Sequence, residues 1–346
     1  MSSSSGAEIT VSHEYMFARL HGLWSHLVRG EALEALIRSE DEEHLVRQLR
    51  GLGIECEKYD TFHRQLKVRE MRLLDGIRRQ VGGAVGEFYR ALMRHQFFTN
   101  VKTLLHQRSD YFHEHRHDVG PQLVELPFEE PIDVEAALNA QDAASFLAAL
   151  RLSPDSVEGV TACVAEFQRT KDILLAEARL DRLSYAEQHT AAAALPRGLR
   201  EAALSLTGEE IDILNIGMLL RSVRTYRFGS ERLSELWLRD GAQLTPERLS
   251  ALSGLGSVPQ VVSQLPREYG GALSALSHGE LYLLENRLRC GLYRRALRML
   301  RSSQDFERIL VAFPYLLRFE RVNIGRVFEG VHFGVQAREM FDMMIG

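Results

Sequence analysis

His113, His115 and His117 stand on alternate positions and Asp118 follows them, a residue set that could do metal chemistry. On an extended loop, alternate imidazoles can both reach one zinc ion, at about 2.0–2.1 Å from each nitrogen. The order is His-Glu-His-Arg-His-Asp, without the paired Asp-His that metallohydrolase loops of this kind carry. The preceding element reads as a helix ending near Arg108, whereas such loops follow a strand. His95 and His106 lie close enough in sequence to favour adventitious metal binding. A catalytic centre would need one more ligand and an open coordination position. The stretch is therefore expected to be a solvated interdomain loop that holds no metal. The alternative is a metal-dependent hydrolase centred on His113–Asp118.

Other chemical candidates are weaker. The glycines at Gly51–Gly53 and Gly82–Gly86 lack the strand-then-helix setting in which a glycine loop cradles phosphate, and no P-loop sequence occurs. Neither ATP hydrolysis by this chain nor a bound cofactor is expected. The acidic run Ser39–His44 reads as a solvated helix start. Arg289, Arg294, Arg295, Arg298 and Arg301 concentrate positive charge. On a helix, Arg294, Arg295, Arg298 and Arg301 would make a basic face able to meet acidic loops of a partner.

These residues must be positioned by a chain of 346 residues, long enough for two or three domains. Its hydrophobic content of 45% and charged content of 26% fit an ordinary globular protein. A net charge of -5 argues against nucleic-acid binding. Cys56, Cys163 and Cys290 are odd in number and far apart, which suggests a reducing compartment and no disulfide framework. No apolar run approaches the roughly 18 residues of a membrane span. Residues 1–11 read as a tail.

Apolar residues recur at three-four spacing, as in Met16, Leu20, Leu23, Trp24 and Leu27, or Ile211, Leu214, Met218 and Leu219. Thr207-Gly-Glu-Glu210 and Ser277-His-Gly-Glu280 have the form of capping boxes, in which hydroxyl and carboxylate satisfy exposed backbone amides reciprocally. Thr245-Pro246 and Ser153-Pro154 put a cap residue ahead of a first-turn proline. Only "VELPF" around Pro127 resembles a strand. The fold class is all-α.

Three segments share asparagine, a β-branched residue and two later apolar positions: "NVKTLLHQ" from Asn100, "NIGMLLRS" from Asn215 and "NIGRVFEG" from Asn323. The intervals are 115 and 108 residues. "EARLDRLSY" from Glu177 matches "ENRLRCGLY" from Glu285, again 108 residues on. Leucine-closed helical hairpins begin at Ala35, Ala137 and Ala251. A period near 110 residues is one small domain, too long for a solenoid repeat. The expected organisation is helical domains at 12–118, 119–238 and 239–346. Each asparagine has a structural reading, either as an exposed residue or local cap, or as an amide bonded to the backbone of a neighbouring helix.

Taken together, these segments resemble the C subunit of bacterial and archaeal V/A-type rotary ATPases, which is called d in the eukaryotic vacuolar pump. Phe313–Val335 is similar to that family's closing helices, Ile211–Ser222 to its Asp-x-x-Asn helix, and Ala18–Leu49 to its opening helices. Thr99 before Asn100 departs from the pattern, since the family often has a carboxylate nearby. The resemblance implies three similar helical domains in a pseudo-threefold cup without catalytic activity, peripheral on the cytoplasmic face of the membrane. The implied partners are the proteolipid ring (c/K), the central shaft subunits D and F, and the membrane stator, with no nucleic acid. The role would be to couple shaft and ring, so that ATP hydrolysis drives ion transport or the reverse. A helical protein-binding adaptor is a further alternative.

Overall fold

The computed structural model describes residues 13–55, 59–108, 122–274, 280–302 and 306–346, and among these there are helices and no strands. Shorter helices followed by two long ones recur three times along the chain. First come α1 (His13–Ser25), α2 (Glu31–Ile37) and α3 (Glu42–Gly51), then α4 (Tyr59–Val81) and α5 (Gly83–Arg108). Next are α6 (Val134–Asn139), α7 (Ala143–Leu150) and α8 (Pro154–Thr170), then α9 (Ile173–Ala193) and α10 (Arg197–Arg221). A π-helical turn, Ser222–Tyr226, extends α10. Last are α11 (Ser230–Ser234), α12 (Pro246–Ser253), α13 (Val258–Gln264) and α14 (Arg267–Leu273), then α15 (Leu281–Ser302), α16 (Phe306–His332) and α17 (Ala337–Met343).

The long helices pack within the hairpins α4–α5, α9–α10 and α15–α16. They also pack between hairpins, α5 on α9, α10 on α15, and α16 back on α4, so the series closes on itself. The three short-helix pairs α2–α3, α6–α7 and α12–α13 coincide with the leucine-closed hairpins expected from sequence. The turn between α4 and α5 reverses the chain through Gly82 and Gly83, with φ of 56° and 49°, a region where a side chain would be strained. The Gly82–Gly86 run is thus a hairpin turn followed by the first residues of α5.

Two core clusters hold the ends of the chain together. The larger runs through all the long helices. A second joins Leu36, Leu45 and Phe62 to Ile324, Phe328 and Met340, with the rings of Phe62 and Phe328 stacked at 3.9 Å. Pro314 lies inside α16 and cannot donate to the carbonyl four residues back, on Leu310. The Tyr89 hydroxyl donates to that carbonyl instead, at 2.7 Å, from α5.

Local signals held unevenly. Thr245 caps α12 by accepting from the Arg248 amide, with Pro246 in the first turn. Ser153 precedes α8, but its hydroxyl lies against Ser156 and Arg94 and caps nothing. Thr207 is no cap: it sits in the middle of α10, where its hydroxyl is 3.0 Å from the Tyr315 hydroxyl. The capping-box pattern is short enough to recur by chance within a long helix, where every amide already has a partner. Ser277, Cys56, the N-terminal tail and His113–Asp118 lie outside the described residues.

Candidate functional site

Asn100, Asn215 and Asn323 are buried on α5, α10 and α16 and make the same two bonds. Asn100 Nδ2 donates to the Val124 carbonyl at 2.7 Å, and its Oδ1 accepts from the Val124 amide at 3.3 Å. Asn215 holds Leu238 in the same way at 3.0 and 2.9 Å, and Asn323 holds Ile345 at 2.8 and 2.9 Å. Each side chain thus clamps one whole peptide residue lying outside any helix. A helix offers no such partner, because its amides and carbonyls are bonded along its own axis. The strand-like "VELPF" contains the first of the clamped residues.

The carbonyl just before each clamped residue is also engaged. Arg64 Nε donates to Leu123, Arg182 Nε to Trp237 and Asn286 Nδ2 to Met344, at 2.8, 2.7 and 3.2 Å. All three donors come from the first helix of a long hairpin. Support three residues before the asparagine differs. Asp212 accepts from the amides of Gln243 and Leu244 and from the Tyr269 hydroxyl, at 2.8, 3.2 and 2.8 Å. Burial lifts its carboxyl above the usual range, and these donors act in the opposite direction. Glu320 accepts from the Val28 amide at 2.8 Å and from Arg69 at 2.6 Å. On α5 that place is Phe97, and Gln96 donates to Asn100 Oδ1 at 2.9 Å.

Between hairpins, polar side-chain pairs cross the joints at fixed offsets from the asparagines. Six residues after them, His106 meets Glu177 at 2.8 Å, Arg221 meets Glu285 at 2.5 Å, and Glu329 meets His63 at 3.0 Å. Glu177 and Glu285, singled out as a repeat in the sequence, are thus joint residues. Six residues before, Arg94 meets Glu187 at 2.8 Å, Glu209 meets Arg295 at 2.5 Å, and Leu317 is buried without charge. Two residues after, Lys102 bonds Asp181 at 2.7 Å. At the matching places Gly217 and Gly325 leave room for the neighbour. A Cβ would lie 3.3 Å from Glu285 Oε1 in one case and 3.0 Å from His63 Cε1 in the other.

α10 and α16 also touch directly. Thr207 faces Tyr315, and Glu210 pairs with Arg318 at 2.5 Å; both pairs are 108 residues apart. Two equal offsets one turn apart mean that these helices run in the same direction and in register. Lys67 and Arg321 both contact the buried Glu70, at 2.9 and 2.7 Å. Burial disfavours the Glu70 carboxylate, but Lys67, Arg321 and Arg318 outweigh it and hold the carboxyl down at about 2. His95, 3.0 Å from Ser184, is kept well below its ordinary pKa by burial and by Arg318. The arrangement is a set of bonded joints, and the contact between His95 and the buried Ser184 is part of it.

The basic series on α15 is divided. Arg295 is engaged by Glu209 and by Ser205, at 3.3 Å, and Arg294 Nε donates to the Cys290 carbonyl at 3.1 Å while its side chain is exposed. Arg298 and Arg301 are exposed. Among the described residues, no group of three His, Cys, Asp or Glu is placed to hold a metal, and no helix is long and apolar enough to cross a membrane. Sequence reasoning did not find Arg94, which Glu129, Glu187 and Ser156 surround, because nothing local marks a partner 93 residues away. Asp212 carried a signal, its Asp-x-x-Asn spacing, although its bonding partners could not be read from it.

Comparison with known proteins adds one match and one absence. A family model described as the ATP synthase (C/AC39) subunit matches residues 16–342. No curated protein matches the chain.

Proposed function

The chain belongs to the ATP synthase (C/AC39) subunit family, which makes it a subunit of a rotary ATPase, and from that premise we propose that it is the socket of the central stalk. In this reading it is a non-catalytic rotor subunit of three similar helical domains, which receives the shaft subunits and sits on the proteolipid ring at the cytoplasmic face. The membrane stator is a neighbour.

The observation that carries the reading is the closed series of long helices, cross-bonded at every joint. A part that transmits torque has to be stiff, and buried side chains that clamp backbone on both sides resist shear better than apolar contact alone. Phe333, Tyr282 and Tyr226 are each more than half exposed, where α10 and α16 end and α15 begins. Aromatic side chains so placed suit contact with a partner.

The test is purification of a tagged copy from gently washed membranes. Proteolipid and shaft subunits are expected to come with it. An intact rotary complex assembling without the chain, while the tagged copy stays in the soluble fraction, would sink the reading.

A further inference from the structure

Outside the joints, α4 carries a second concentration of charge, of which the contacts above use only Arg64, through its Nε. Arg64, Arg72 and Arg79 line one side of a groove of about 580 Å³ between α4 and the segment Glu125–Pro127. Val68 and Met71 from the helix and Leu126 and Pro127 from the segment form its apolar floor. The notch at Gly76 admits a further cation, since the Arg19 guanidinium lies 3.2 Å from where a Cβ would stand. The carboxylates at hand do not neutralise this set. Asp75 is held by both Arg78 and Arg79, at 2.8 and 2.6 Å, and Glu125 is the other acid on the groove. No carboxylate of the described residues pairs with Arg72 or Arg19, in a chain whose net charge is -5.

We propose that this groove docks an acidic polypeptide segment of a partner protein, laid along α4 with carboxylates facing Arg72 and Arg79. Those two arginines are seven residues apart, about 10.5 Å along the helix, so matching carboxylates belong about two helical turns apart on the partner. Arginine presents a planar fork that holds a carboxylate through two bonds, and beside an apolar floor such a pair dominates an interface. The floor is concave, which suits the apolar side chains of a polypeptide better than a flat bilayer surface. The proposal stands on the groove alone and does not depend on the rotary reading.

The test uses the full chain and a fluorescent amphipathic peptide with glutamates seven residues apart and leucines between them. A permuted peptide of the same composition is the control. Binding measured by anisotropy should weaken as salt rises, and Arg72→Glu with Arg79→Glu should reduce affinity at least about tenfold. Arg79→Glu also takes one of the two partners of the buried Asp75, so Arg72→Glu alone, at an exposed residue, serves as the variant whose affinity should fall while the melting temperature holds. Arg294→Glu with Arg298→Glu on α15 should leave binding unchanged. The proposal is overturned if the groove variant binds as wild type does, or if the permuted peptide binds equally. It is also overturned if vesicles containing phosphatidylserine bind through Arg72 and Arg79 while the peptide does not.

Discussion

At the joint between α5 and α9 the cation, Arg94, lies on the asparagine-bearing helix and the acid, Glu187, on its neighbour. At the joint between α10 and α15 the signs are exchanged: Glu209 lies on the asparagine-bearing helix and Arg295 opposite. Both pairs begin six residues before the asparagine. Between α16 and α4 the same place holds the buried Leu317. The clamps behave differently, since asparagine and its two bonds to one apolar residue outside any helix recur in all three. The clamp therefore meets a fixed geometric demand, one residue's amide and carbonyl to be satisfied together, and only a carboxamide offers a donor and an acceptor side by side. A joint demands only complementarity, which either sign or an apolar contact can supply.

Removing a clamp should have the largest effect. Asn215→Ala leaves the buried amide and carbonyl of Leu238 without their partner and should cost on the order of 4 kcal/mol. Asn100→Ala should cost more, since it also strands the Gln96 amide, and no carboxylate like Asp212 stays behind three residues earlier to hold the segment. Equal losses from the two truncations, measured by urea denaturation, would remove the distinction in support. Next comes the joint: Arg94→Ala strands Glu129 and Glu187 and should cost on the order of 3 kcal/mol. If sign is free there, Glu209→Arg and Arg295→Glu should each destabilise alone and recover together. A double-mutant cycle should then give a coupling of roughly 0.5–3 kcal/mol, and no recovery in the double variant would show that the sign is not free.

Acid should act on the central cluster. With the Glu70 carboxyl held at about 2, against 4.5 ordinarily, only the unfolded chain binds a proton between those values. Its contribution to stability is therefore complete above about pH 4.5 and disappears as pH falls through 2. Glu70→Gln should flatten the acid limb of a plot of melting temperature against pH, and an unchanged limb would exclude Glu70 as its source. The smallest effect is expected at Tyr89→Phe, which removes only the hydroxyl supplied to Leu310. The cost should be about 1–2 kcal/mol, and combination with Pro314→Ala should reduce it, because an alanine amide at that position can donate to the same carbonyl.

The all-α class, the hairpins and the asparagine positions were legible because they rest on periodicity and on repetition at a constant interval, both of which survive without coordinates. Glu177 and Glu285 were visible for the same reason, as a matched pair. The joints were not, since Arg94 and Glu187 belong to different repeats and carry no mutual mark. Thr207 shows the opposite failure. Its spacing to Glu210 is a genuine local pattern, but the helix had begun ten residues earlier, at Arg197. Arg295 looked like one member of a partner-facing basic row until the fold brought Glu209 against it.

The joint between α16 and α4 has a consequence for the order in which the protein is made. Arg69 and Glu320 are 251 positions apart, and Tyr89 reaches Leu310 across 221. While the ribosome is still translating, α4 can pair with α5 but waits for α16, which emerges among the last. Until then a nascent chain displays the Glu70 face uncovered and an unfinished edge. Chains stalled before Phe306 should therefore be captured by chaperones that ignore the finished protein.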